Sequence, residues 1–357
     1  VPHRGRGERA AYAEGSVARC AQAIRGRQIV RTPLSWLAGR YSLEARSVRL
    51  AALVSVLAGI AIILTGGIVR VTGSGLGCTD WPMCTGETLA PTAEMGMHGA
   101  IEFGNRLLTG VLCAVVGWVI IAARLQREPA PKVLRGAWAQ FWIVVLNAVV
   151  GGVTVWMRLS PYIVAAHFIA ATLLLTAAVY TWHAAYAGTG DGAAAQEPAG
   201  ARPSARCRSL SAALVAVTAA LVVVGTLATG TGPHAGDSSD VERMPFNWTA
   251  VTVVHGVLAA SVLVLSWWLR TALPREGEAR RKTTVFLAVV LAQGGVGLVQ
   301  SLTGLPSLAV VLHLLGSALV WVGVLQVHLT VRGRHSGPVD AAGGAPLSGP
   351  LSEPART

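Results

Sequence analysis

The sequence predicts an all-α polytopic membrane protein with eight transmembrane helices arranged as two pseudo-symmetric four-helix bundles. Of its 357 residues 53% are hydrophobic and only 13% are charged. Eight apolar stretches reach about 20 residues, the length at which a helix crosses a bilayer. The chain also repeats itself: His167 and His313 stand 146 positions apart, and at the same offset Asn147 matches Gln293 and Gly151 matches Gly297. One four-helix unit used twice, with an imidazole kept at the same depth in both copies, accounts for that match.

The spans are expected at 50–69, 98–122, 136–156, 162–186, 210–230, 248–270, 284–303 and 308–331. Residues 50–186 then form an N-terminal bundle, 210–331 a C-terminal bundle, and 187–209 a cytoplasmic linker. Residues 1–49 carry ten arginines without a sustained apolar run, and 332–357 are rich in Gly, Pro and Ser. Both are expected to be disordered tails, because neither can bury enough apolar surface to fold. No secretory signal is expected, since the first apolar run is long enough to stay as an anchor, and Val1 is read as a literally translated GTG codon.

Basic residues fall on alternate loops: Arg124, Arg127, Lys132 and Arg135 after the second span, Arg202, Arg206 and Arg208 after the fourth, and Arg275, Arg280, Arg281 and Lys282 after the sixth. Under the positive-inside rule these loops and both termini are cytoplasmic, and the loops at 70–97 and 232–247 face outward. The net charge of +12 therefore reports topology. No nucleic-acid partner is expected, because such a partner needs a soluble basic face with readout side chains.

The first span ends in the glycine-rich run from Thr65 to Gly77, and the fifth in a similar run from Gly225 to Asp237. Glycine allows tight turns and close approach to a flat macrocycle, and Arg70 could meet a propionate on the outer side. Ordinary helix termination is the plainer alternative, and His234 reads as a surface residue. Cys78 and Cys84 share one short outward loop on the oxidising side and can close a small disulfide ring. That ring is either a structural staple or an exchanging redox pair. Cys20, Cys113 and Cys207 carry no expected chemistry.

On the second span His98, Glu102, Asn105 and Arg106 recur at helical spacing and share a face. A charged residue at mid-membrane costs about 2.5–3.5 kcal/mol on insertion scales, so this face belongs inside a bundle. An ion pair of Glu102 with Arg106 that merely locks helices is the alternative to function. His255 on the sixth span and His313 on the eighth lie at matched depth, where two imidazoles could grip a planar iron porphyrin from opposite faces. His167 on the fourth span lies opposite the second-span block in the first bundle. His183 and His328 follow His167 and His313 by 16 and 15 residues, about 24 Å along a helix, and read as interfacial.

The segment from Thr65 through Cys84, the block Glu102-Phe103-Gly104-Asn105-Arg106, the helix Asn147-Ala148-Val149-Val150-Gly151-Gly152 and the paired positions resemble the haem A synthase family, its actinobacterial members most, over about residues 50–331. The resemblance implies a plasma-membrane oxidoreductase that oxidises a methyl group of haem O to a formyl group, giving haem A for cytochrome c oxidase assembly. It implies that His255 and His313 hold a haem b iron. His167 and the second-span block with His98, Asn105 and Arg106 would line the pocket for the haem O substrate; from their own chemistry, Arg70 is expected beside that pocket and the buried carboxylate of Glu102 is expected to be catalytic. Cys78 and Cys84 match the family's outer-loop cysteine pair. Membrane lipid, haem O synthase, an electron donor or acceptor such as quinone, and a second copy of the chain are the partners to expect.

One departure matters. The family commonly has His three residues after this Glu, and here the residue is Asn105. An amide is a poor iron ligand, so either His167 binds the substrate iron alone, or His98 or Glu102 takes the missing place. The competing functional classes are a non-catalytic di-haem b-type electron carrier, which the histidine pairing also satisfies, and a repeat-built transporter, which would need paired mid-span interruptions.

Overall fold

The computed structural model describes residues 33–38, 40–126, 130–187, 203–234, 236 and 241–333; most of the two tails and of the 187–209 linker lie outside the described residues. Eight helices are long and apolar enough to cross a membrane. They are α1 (Ala45–Val71), α2 (Gly96–Arg124), α3 (Pro131–Trp156), α4 (Pro161–Ala187), α5 (Ala205–Thr231), α6 (Trp248–Ala272), α7 (Glu278–Leu302) and α8 (Ser307–Arg332), preceded by a short helix at Pro33–Ala38. Most overrun the expected spans. α7 begins at Glu278 rather than 284 and takes in Arg280, Arg281 and Lys282, because the helical hydrogen bonds must be complete before the chain enters lipid.

Local chemistry sets the ends. Pro131 opens α3, where a missing N–H is harmless. Ser204 and Asn247 cap α5 and α6 by accepting from the backbone N–H of Cys207 and Ala250. The turn between α3 and α4 places Arg158 and Leu159 at φ 46° and 60°, and the turn between α7 and α8 places Gly304 and Leu305 at 75° and 60°. Leu159 N donates to Thr154 O, and Leu305 N donates to Gln300 O. All these positions match at the 146-residue offset, so the duplication extends to a left-handed turn that non-glycine residues rarely adopt.

Each unit of four is a ring. In the first bundle α1 packs on α2 and α4, and α3 packs on the same two; in the second, α5 and α7 both pack on α6 and α8. The diagonal pair is held apart: among the described residues no Cα of α2 comes within 8 Å of α4, and none of α6 within 8 Å of α8. The bundles meet along α1, α4, α5 and α8. There Val56, Ile63, Leu175 and Val179 bury against Leu214, Val262, Leu269 and Val324 in one continuous cluster, and Trp321 Nε1 donates to Thr176 Oγ1 at 2.8 Å. Gly67 leaves no room for a Cβ beside Leu314, the close approach that small residues give membrane helices. Outward faces keep exposed apolar side chains such as Trp142, Val264 and Leu298, as a lipid-facing surface requires.

Two histidines have partners that the sequence did not reveal. His328, about one turn from the end of α8, is buried with Nδ1 3.2 Å from Ser211 Oγ where α8 meets α5. His234 is no free surface residue: its Nε2 lies 2.9 Å from the Leu305 carbonyl and stitches the α5–α6 loop to the α7–α8 turn. In both cases the partner comes from a segment about 70 or more residues away, beyond the reach of local pattern.

Candidate functional site

The gap between α6 and α8 is flanked by two imidazoles. The rings of His255 and His313 face one another with centroids 6.3 Å apart and planes inclined by 55°. An imidazole nitrogen takes a metal at about 2 Å and lies about 1 Å from its ring centre, so one iron clasped from both sides needs centroids about 6 Å apart. The pair fits an axially ligated tetrapyrrole. Among the described residues no three His, Cys, Asp or Glu gather to hold a bare metal ion, whereas a porphyrin brings its own four nitrogens and asks the protein only for axial ligands.

Small residues and a carboxamide shape this site. A Cβ at Gly225 would lie 3.2 Å from His255 Cε1, and one at Gly297 would lie 3.2 Å from His313 Cε1. Gln293 Nε2 sits 2.9 Å from His313 Nδ1 and donates to the His313 carbonyl at 2.8 Å. A carboxamide has a donor and an acceptor and can serve either ring tautomer. With Nδ1 engaged, Nε2 is the nitrogen left for the gap.

The first bundle repeats half of this. A Cβ at Gly151 would stand 3.2 Å from His167 Cε1, the same relation as Gly297 to His313. The carboxamide contact is missing: Asn147, the counterpart of Gln293, donates to Ile143 O on its own helix at 2.9 Å. His167 Nδ1 is buried without a hydrogen-bond partner among the described residues. On α2, Asn105 Oδ1 accepts from Thr65 Oγ1 at 2.7 Å.

The disulfide loop between α1 and α2 packs on the start of α2. Cys78 and Cys84 are bonded. Glu102, 6% exposed, accepts from Cys78 N at 2.6 Å through Oε2 and pairs with Arg106 through Oε1. Arg106 Nη1 donates to the carbonyls of Asp80 and Met83 at 2.9 Å. The Glu102–Arg106 pair foreseen in the sequence therefore exists, but it grips a loop rather than joining two helices. His98 Nδ1 lies 3.0 Å from Ser74 Oγ. Trp81 stands on Gly152, where a Cβ would come within 2.6 Å of its ring, and meets Trp156 edge to face at 5.6 Å. Arg70 reaches across to the second repeat, where its Nη2 donates to Thr229 O at 2.8 Å, close to the Gly75 N to Gly236 O bond of 2.8 Å that ties the α1–α2 loop to the α5–α6 loop.

Sequence reasoning had missed Thr65 as a partner of Asn105, Trp81 on Gly152, and the Gln293–Gly316 pair. One signal was available for the last. At the 146-residue offset Gly316 matches Ala170 and Gln293 matches Asn147, two differences that go together because the longer carboxamide occupies the space a Cβ at 316 would need.

The model of a family described as cytochrome oxidase assembly protein matches residues 49–325. Over 288 residues the chain is 29% identical to a heme A synthase of Symbiobacterium thermophilum, covering 75% of this chain and 90% of that one. It is 39% identical over 113 residues to a heme A synthase of Exiguobacterium sibiricum and 31% identical over 110 residues to one of Geobacillus thermodenitrificans. These two shorter alignments span 36% and 32% of those relatives.

Proposed function

The chain belongs to the family of cytochrome oxidase assembly proteins, and from that premise we propose that it is a haem A synthase. It is a membrane oxidoreductase that takes a methyl group of haem O to a formyl group, supplying haem A to a terminal cytochrome oxidase. The observation that supports this reading best is the inequality of two otherwise repeated bundles. One presents His255 and His313 across a gap at a spacing suited to iron; in the other the residue 150 positions before His255 is Asn105, bonded to Thr65, with Glu102 on the same helix held by Cys78 N.

In this reading residues 210–331 hold a resident haem b between His255 and His313, and residues 50–186 take haem O against His167, with Asn105, His98, Arg106 and Arg70 around it. When bound, haem b supplies one-electron transfer. Oxidation of a methyl group also releases protons, and in this reading Glu102 accepts them or stabilises positive charge developing at that carbon. Arg106 and the Cys78 amide hold this carboxylate, and the Cys78–Cys84 loop excludes water from the outer end. A quinone-class acceptor, haem O synthase as supplier and a second copy of the chain are the partners to test. The basic loops after α2, α4 and α6 support a reading with both termini in the cytoplasm, and the membrane in this reading is the plasma membrane.

The test is expression beside a haem O source, extraction of pigments and chromatography. A formyl-bearing porphyrin is expected. Its absence from well-expressed protein would favour the electron carrier, for which two equally closed sites would suffice.

A further inference from the structure

We propose that the N-terminal bundle holds its tetrapyrrole iron through His167 alone, leaving the Asn105 side open to a small exogenous ligand. This rests on the assignment of the two bundles to haem O and haem b.

Structural register places Asn105 where the second bundle has His255. The buried residues Leu112, Val116 and Val119 of α2 match Val262, Ser266 and Leu269 of α6, each 150 positions on, and Asn105 matches His255 at that same step. On the facing helices the buried Leu174, Leu175 and Ala178 match Val320, Trp321 and Val324 at 146, the step from His167 to His313. Both pairs therefore occupy equivalent places across equivalent gaps. What differs is the donor. An amide nitrogen has no lone pair to give, and the amide oxygen of Asn105 accepts from Thr65 Oγ1 at 2.7 Å.

The two other candidates stand away from this position. His98 is exposed and lies seven residues before Asn105, about 10 Å along α2, and Glu102 spends its oxygens on Cys78 N and Arg106. Bringing Glu102 to iron would undo the contacts that seat the disulfide loop. His167 also lacks the carboxamide that engages His313, since Asn147 bonds its own helix; its Nδ1, like that of His255, has no hydrogen-bond partner among the described residues. Ligation from one side by an unbuttressed imidazole suits a tetrapyrrole that must arrive, react and leave. Ligation from both sides, with Gln293 behind one ring, suits a group that stays.

The experiment uses the full chain purified in detergent, with haem B added as the probe until both bundles are filled. Carbon monoxide difference spectra are taken on the reduced protein and electron paramagnetic resonance spectra on the oxidised one. One high-spin haem that binds carbon monoxide and one low-spin haem that ignores it are expected. Asn105→His should convert the first into a low-spin haem and abolish carbon monoxide binding; Asn105→Ala should keep it, and His167→Ala should lose that haem. Two low-spin haems in the unaltered chain, failure of the second haem to bind, or loss of the carbon monoxide signal in Asn105→Ala would each overturn the proposal. Formyl porphyrin produced by a chain without carbon monoxide binding would remove this inference alone. Carbon monoxide binding without formyl product would leave it standing and remove the enzymatic reading.

Discussion

The side-chain carboxamide of Gln293 occupies the space that a Cβ at Gly316 would fill, and from there its nitrogen lies 2.9 Å from His313 Nδ1. A helix-packing glycine thus serves a histidine one turn away on the same helix. Gly316→Ala should push the carboxamide off the ring. Loss of such an outer contact typically lowers metal affinity about 10–100-fold, so the variant should retain less haem in its C-terminal bundle. Pyridine haemochrome assay of washed protein reads this directly, and an unchanged haem-to-protein ratio would show that the contact is incidental.

His255→Ala and His313→Ala should each abolish the low-spin absorption bands of the purified protein, because either change leaves iron with a single axial imidazole. Visible spectra of protein purified from matched expression check this. Bands that persist unaltered in both variants would remove the assignment of haem to this gap.

Glu102→Gln keeps an oxygen for Cys78 N but loses the negative charge. The disulfide loop should stay seated while formyl porphyrin output falls sharply; full output would mean that Glu102 has no part in the chemistry. Arg106→Ala tests the same pair from the other side. It strands a buried carboxylate and two loop carbonyls, and breaking a buried pair in this way costs about 3 kcal/mol or more, which thermal unfolding in detergent should register.

The Cys78–Cys84 bond closes a short loop, with a sequence separation of 6, and constraint of the unfolded chain by so small a ring stabilises by about 2 kcal/mol. Changing both cysteines to serine should lower the unfolding midpoint accordingly. Product output measured well below that midpoint then separates the two roles. Output per folded molecule is preserved by a staple and lost with a redox pair.

Much of the architecture was legible beforehand because a bilayer imposes one-dimensional rules. A span must be about 20 apolar residues and must satisfy its own backbone, so eight helices and their repeat could be counted along the chain. The helix ends ran longer than their apolar cores, since α7 carries three basic residues inside its first turns. The candidate site was legible for a related reason: Glu102, Arg106 and the histidines are expensive inside a membrane and stand out from an apolar background.

From its residues alone this chain declared an eight-helix membrane protein, a duplicated unit, and the short set of polar side chains able to do chemistry. Only the folded molecule decided which of them meet: that Glu102 and Arg106 seat the Cys78 loop, that Thr65 takes the oxygen of Asn105, that Gln293 backs His313 while Asn147 leaves His167 without support, and that His328 is buried beside Ser211. Hydropathy is a property of each residue and adds up along a segment. Hydrogen-bond partnership depends on the relative rotation and depth of helices far apart in the chain, and packing sets these only once all eight are assembled.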